Sequence, residues 1–262
     1  MITMEPDELI AECQDAIVKV YKEQGLTSLS GLDDKFILNG KNILAWHLEV
    51  ISMAPKQNDL VHYTKNMDDI FWCSSQLLYF TANLYLYRPH INSPLKHAYL
   101  SGNETIYPNF QNIAGRRYDM FADIVCQTAY NYWDRIGDLI ASFFPKEIKK
   151  DRVYFSTVLD MVPEQFHVGE SFSWLQNFRD NGYQELNEKR KQIVHYTTSG
   201  TQYKFAHLQS VHSREEIESL QTAREGVADF FKQHIYLTLE GYEKTLLFLS
   251  DVSSKLFPAV PD

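Results

Sequence analysis

Glycine and proline are scarce in this chain, with 11 and 9 among 262 residues. An all-β sandwich needs turn residues at short intervals, so this scarcity points away from strands and toward long helices. Cysteine is scarcer: Cys13, Cys73 and Cys126 lie far apart and in no metal-ligand spacing. Such thiols read as reduced, in a cytoplasmic protein, and neither a disulfide framework nor a metal site is expected. Positive charge is also short, since 25 Lys and Arg against 34 Asp and Glu leave a formal net charge of −9. Without a basic stripe, extended binding to DNA or long RNA is disfavoured, and so is a membrane surface; a compact site on a short RNA segment stays open. Long apolar runs are missing too. Ile70–Tyr87 is interrupted by Ser74, Ser75, Gln76 and Asn83, and reads as a buried core helix rather than a membrane span. Met1–Leu9 carries acids rather than a basic n-region and an apolar h-region, so no secretory signal is expected. No Walker loop, Rossmann glycine run, nucleophile elbow or kinase signature occurs, which disfavours the common nucleotide-hydrolysing and acyl-transfer chemistries.

What the chain has is core-forming material: 44% hydrophobic residues, including 16 Tyr, 16 Phe and 4 Trp. A first helix is expected over Pro6–Gln24, with Asp7 and Glu8 in its first turn and Gly25 behind it, placing Leu9, Ile10, Cys13, Ile17, Val20 and Tyr21 on one stripe. Thr27–Lys41 reads as a loop and Asn42–Met53 as a helix ended by Pro55. Asn66 is a candidate cap for a helix that stops at Pro89, and His90–Tyr107 is the best internal linker. The longest pattern runs from Asn112 to Phe144, with Phe121, Ile124, Val125, Trp133, Ile136, Leu139, Ile140 and Phe143 recurring every three or four residues.

Val153–Met161 suits a short helix or a strand equally, and Gln202–Leu208 a short strand or an extended crossover. Between them a helix is expected over Asp180–Tyr196, with Gly200 stopping the chain beyond it. Ser213 and Glu216 form a capping box for a last helical stretch from Arg214 to Lys255, bent or broken near Gly241. Five or six sizeable helices make an all-α bundle. Residues 1–65 are expected to be an N-terminal helical extension packed on a bundle of residues 66–262, the two forming one globular unit.

One spacing stands out. Arg190 and His195 close the Asp180–Tyr196 helix, and five residues of ideal helix turn by ~140°, so the pair does not share a face. Tyr183, Leu186, Ile193 and Val194 fall on the side of Arg190, where a guanidinium needs a partner: an acid, a second protomer or a bound anion. His195 stands in the last turn, where unpaired carbonyls favour imidazolium. A histidine able to move a proton beside a permanent cation suits phosphodiester chemistry without a metal or another cofactor. Spacing alone equally describes a dipole partner and a buried ion pair.

The R-x4-H run, followed by Tyr196 in an all-helical chain, resembles the HEPN superfamily, and Tyr132-Trp133-Asp134-Arg135-Ile136-Gly137 is similar to the long core helix of stand-alone prokaryotic HEPN proteins. The resemblance extends from Asn66 to Lys255 and makes Arg190 the motif arginine and His195 the motif histidine. It implies a homodimer with the motif facing the dimer cleft, and one of two activities. The first is a metal-independent endoribonuclease (RNase) in toxin–antitoxin, phage-defence or RNA-processing systems, with RNA as substrate and an antitoxin or regulatory protein as partner. The second is a non-catalytic module that binds a protein or nucleotide. Lys191 follows the motif arginine where the family often has a small polar residue. Lys191, Tyr196 and an acid from a neighbouring helix, Asp134 or Asp138, are the supporting candidates.

Other constellations read as structural. Glu164 and His167 form a single E-x-x-H, and a di-iron bundle needs two. His207 and His212 are expected to be exposed in a loop, the pair Asp119 and Asp123 to lie on a solvated face, and Arg116 and Arg117 to be solvated or capping.

Overall fold

The computed structural model describes residues 6–31, 36–54, 60–148 and 153–256. The architecture is all-α. The strands among these residues form two short antiparallel hairpins, β1 (Ile37–Leu38) with β2 (Lys41–Asn42) and β3 (Tyr99–Ser101) with β4 (Glu104–Ile106). The helices are α1 (Pro6–Gln24), α2 (Ile43–Ser52), α3 (Leu60–Tyr87), α4 (Ile113–Ala141), α5 (Phe155–Met161), α6 (Glu170–Phe178), α7 (Gln184–His195), α8 (Ser199–Gln209), α9 (Arg214–Glu225) and α10 (Val227–Leu256). Among the described residues no helix is long and apolar enough to cross a membrane.

The chain divides into two units. The first takes residues 1–26, 77–127 and 189–233. Its core draws Ile17 and Val20 from α1, Leu84 from α3, Tyr118, Phe121 and Val125 from α4, Ile217 from α9 and Phe231 from α10, all buried. Phe121 is gripped by two rings of α3, stacking on Tyr87 at 5.8 Å and meeting Phe80 at 6.0 Å. Burying side chains of this size contributes roughly 1.5–3 kcal/mol each. The expected stripe of α1 is buried only at its C-terminal end, for Ile10 and Cys13 are exposed.

The second unit takes residues 27–76, 128–188 and 234–262. Trp133 of α4 is fully buried, with its ring 4.1 Å from that of Phe178 and 5.0 Å from that of Phe155. Gly241 of α10 makes this packing possible, since a Cβ there would stand 2.3 Å from the Trp133 ring. Tyr132 donates to the Thr238 carbonyl at 2.8 Å, and the His47 ring of α2 pairs through Nδ1 with the Tyr242 hydroxyl at 2.7 Å.

Several boundaries agree with the sequence. Asn42 caps α2 by accepting from the Ala45 N–H at 2.9 Å, and Ser213 caps α9 by accepting from Glu216 N–H at 3.4 Å. Others differ. Asn66 lies inside α3, where its amide donates to the Arg135 carbonyl at 3.1 Å instead of capping a helix start. The segment 27–41 holds a 3₁₀ turn at Leu29–Gly31 as well as the first hairpin, and Pro55 lies outside the described residues. The stretch 90–107 is folded rather than a linker: Gly102 turns the second hairpin at φ +64°, and Ser93 donates to Gln221 at 2.8 Å. Val153–Met161 resolves as α5 and Gln202–Leu208 as part of α8.

The largest difference precedes the Arg190 helix. Helical structure starts at Glu170, and a five-residue π-helical segment, Arg179–Tyr183, joins α6 to α7. Asn181 and Gly182 lie within this wider π turn. Arg179 braces the segment by donating to Asp160 and Asp180 at 2.5 and 2.7 Å. Near the C-terminus the break falls at Gly226, and α10 runs unbroken through Gly241.

Candidate functional site

Helix α7 ends at His195, one residue before the expected end at Tyr196. Tyr183 and Leu186 are buried, Arg190 and Ile193 are half-buried, and Lys191, Val194, His195 and Tyr196 are exposed. Arg190 therefore stands at the margin of the apolar side, while the imidazole of His195 stands in the open. Val194 departs from the expected stripe. The N–H groups of Tyr196 and Thr197 both donate to the Gln192 carbonyl at 3.0 Å, which closes the helix. After a three-residue turn the chain re-enters a helix, with Thr198 capping α8 and Gln202 Nε2 donating back to the Thr197 carbonyl at 2.7 Å.

Helix α8 starts where two acids of α4 wait for it. Asp123 accepts from the Ser199 N–H at 3.0 Å, placing a carboxylate at the positive end of the helix. Gly200 lies against Asp119, so closely that a Cβ would stand 3.0 Å from Oδ2. Gly200 thus lies in the first turn of α8, behind the Thr198 cap, and does not stop the chain. Asp119 itself is buried. Arg224 of α9 donates to both its oxygens, Nε to Oδ1 at 2.9 Å and Nη2 to Oδ2 at 2.8 Å, while Gln111 donates to Oδ2 at 2.9 Å. The guanidinium also stacks over the Tyr203 ring at 4.3 Å and donates to the Gly115 carbonyl at 3.1 Å. Burial pushes the Asp119 carboxyl up, against the opposing pull of Arg224 and Gln111. The expectation that Asp119 lies on a solvated face is thus overturned.

Around this pair the first unit forms a half-open cavity of about 340 Å³, walled by α4, α7, α8, α9 and the start of α10. Lys189, Gln192 and Ile193 of α7 belong to its wall, so the turns that carry Arg190 and His195 also shape the cavity. Cys126 lines it as well. Burial raises its thiol to about 12, with Lys189 and Arg190 opposing and Asp123 assisting, so the sulfur stays protonated at neutral pH.

The remaining candidates have local partners. Asp134 accepts from the Phe155 N–H at 3.4 Å, at the N-terminus of α5, and Asp138 accepts from Arg135 at 2.6 Å; both acids belong to the second unit. Glu164 lies in a 3₁₀ turn, and His167 pairs with the Val162 carbonyl at 2.7 Å while stacking on Phe172. His207 is a correction: it lies in α8, fully buried, with Nε2 2.6 Å from the Tyr107 carbonyl. His212 is exposed beside Glu104 at 3.4 Å, and Arg116 and Arg117 are exposed. Among the described residues no group of three or more His, Cys, Asp or Glu side chains is placed to hold a metal ion.

An all-α chain with R-x4-H at a helix end invites comparison with known families, and residues 108–250 match the family described as Cthe2314-like HEPN. The chain is a HEPN-superfamily protein. The matched stretch of this HEPN protein holds α4 to α9 and most of α10, including Arg190 and His195. No curated protein and no solved structure matches it significantly. Sequence reasoning missed Arg224, Tyr203 and Lys189 as wall residues. Only the capping box at Ser213 hinted that an ordered helix, and so a fixed Arg224, followed.

Proposed function

We propose that this HEPN protein is an endoribonuclease that works without a metal, with His195 as proton carrier and Arg190 as phosphate binder. The observation that supports the reading best is the disposition of the pair on α7: an exposed imidazole on the last helical residue, and a half-buried guanidinium five residues earlier. An RNA 2′-hydroxyl attacks the adjacent phosphorus, the new P–O bond forms as the P–O5′ bond breaks, and a 2′,3′-cyclic phosphate and a 5′-hydroxyl result. One imidazole state removes the 2′ proton and the other protonates the leaving oxygen, while Arg190 bridges two phosphate oxygens. Since five helical residues turn the pair ~140° apart, a homodimer brings one protomer's arginine and its partner's histidine to one phosphate. Exposed Val194, Tyr196, Phe205 and Leu208 in the same unit are apolar surface suited to such pairing. Lys191 and Tyr196 flank the site. Toxin–antitoxin or phage-defence work in the cytoplasm, under an antitoxin or regulatory protein, is the proposed setting.

A second reading, a binding module without catalysis, draws on Lys191 after the motif arginine and on the existing engagement of Asp134 and Asp138. One experiment separates the two. Purified protein is incubated with mixed RNA in EDTA, beside His195→Ala, and the ends are analysed. Cyclic-phosphate ends made by wild type and not by the variant uphold the ribonuclease. If wild type cuts nothing, the binding module stands; if the variant cuts equally well, His195 is not the proton carrier and the ribonuclease reading is abandoned. For the dimer, a light-scattering mass near the chain's 30.6 kDa at micromolar concentration counts against it.

A further inference from the structure

The ribonuclease reading makes no use of the half-open cavity of the first unit. At about 340 Å³ it falls in the range that takes a small molecule. Burial gives it a floor and a mouth. Tyr118, Ala122, Cys126 and Phe231 are buried and form the floor, while Lys189, Gln192 and Ala223 are exposed and mark the mouth. Between them Ile193, Ala206, Leu220 and Val227 are half-buried, an aliphatic collar with part of its surface still uncovered. A guest that enters the collar removes this apolar surface from water.

Charge sets the class of guest, because the charged groups of the wall are already matched. Asp119 accepts from Arg224 at 2.9 and 2.8 Å and from Gln111 at 2.9 Å. Arg224 also donates to the Gly115 carbonyl at 3.1 Å and lies over the Tyr203 ring. Lys189 stands at the mouth, 4.8 Å from the Phe230 ring centre and with a further partner of its own. Such an exposed ammonium adds little to the binding of an anion. The Cys126 thiol, held protonated by burial, brings no charge. A charged guest would therefore lose its water inside the cavity and find no free counter-ion there. Neutral polar groups remain: Gln192, Ser199 and Gln202 line the same wall, and their amides and hydroxyl can meet a single hydrogen-bonding group.

We infer that this cavity is a binding site for a neutral, mainly apolar small molecule with one hydrogen-bonding group, of the class of uncharged alcohols, amides and arylamines. Its apolar body lies inside the collar, over Ala122, and its polar group faces Gln192 at the mouth. Because Gln192 and Ile193 belong to α7, the guest packs against the helix that carries the motif. The site stands whether or not the chain cuts RNA.

The test uses the full chain and the neutral dye N-phenyl-1-naphthylamine, titrated by fluorescence at neutral pH and about 0.15 M salt, which screens the net charge of the chain. One saturable site per chain is expected. Three compounds of one shape then compete for it. Neutral 2-naphthalenemethanol should displace the dye, while anionic 2-naphthoate and cationic 2-naphthylmethylammonium should need concentrations at least about tenfold higher. Ala206→Trp, which fills the cavity, should abolish binding while circular dichroism stays native. Ala223→Trp, at an exposed position of the mouth, should weaken it about tenfold. Absence of a saturable site overturns the proposal, as does unchanged affinity in folded Ala206→Trp, or displacement by either ion as readily as by the alcohol. Should Ala206→Trp not fold, Ala223→Trp decides alone, and unaltered affinity there sinks the proposal.

Discussion

Arg224 and Asp119, 105 residues apart in sequence, meet through two parallel hydrogen bonds with both side chains at least nine-tenths buried. Removing one member leaves the other charged and enclosed, which typically costs about 3–5 kcal/mol. Arg224→Met alone should therefore destabilise by about that much in urea unfolding, and Arg224→Met with Asp119→Leu should recover most of it. A double variant no more stable than the single one would mean that the contact between α4 and α9 does not depend on this pair.

For the motif arginine the discriminating change is conservative. Arg190→Lys keeps the charge but loses the planar fork that holds two phosphate oxygens. Under the ribonuclease reading it should lower cleavage by about 10²–10³-fold, with the melting temperature unchanged. Full activity in Arg190→Lys would show that only charge is required there.

Gly241 reverses a familiar rule. In the interior of a helix Gly→Ala usually stabilises by up to about 1 kcal/mol, but here the new methyl meets the Trp133 ring at 2.3 Å. Gly241→Ala should instead destabilise, by about 1–3 kcal/mol as the indole is displaced. Thermal unfolding followed by Trp fluorescence measures the sign directly.

Acid stability should carry the mark of His47. Burial lowers its pKa from 6.5 to about 4, so the folded chain keeps the ring neutral where the unfolded chain protonates it. The unfolded state thus binds more protons between those values, and stability falls as pH drops from about 6.5 toward 4. The full effect is about 3 kcal/mol. His47→Gln should flatten this part of the stability–pH curve, and an unchanged slope would assign the loss to other groups.

Thiol chemistry offers a simple readout. Iodoacetamide at neutral pH should alkylate exposed Cys13 quickly and spare Cys126, which is buried and held protonated. Mass spectrometry of digests at short times checks the order; fast modification of Cys126 in the native chain would contradict its enclosure.

What could be read from the sequence was local. Asn42 and Ser213 mark helix starts through contacts spanning three residues, and the Arg190–His195 spacing lies within one helix. The features that were misjudged depend on partners elsewhere in the chain. Asp119 looks like a surface acid until α9 brings Arg224 to it, and His207 looks like a loop residue until the Tyr107 carbonyl closes over it. Gly200 carries a breaker signal, yet it lies in the first turn of α8 with the Asp119 carboxylate packed close to it. Propensity describes what a residue prefers alone, and tertiary contact decided each of these positions.

The exposed end of α7 also bears on how a polyanion arrives. At a distance the chain, with formal charge −9, repels any nucleic acid. Close to α7 the run Lys189, Arg190 and Lys191 concentrates three cations on neighbouring positions. Most nucleic-acid binders lose affinity steadily as salt rises, whereas here moderate salt screens the far repulsion sooner than the near attraction. Encounter with a short RNA should therefore quicken as ionic strength rises from very low values, before slowing again, which favours loops and ends over long duplexes.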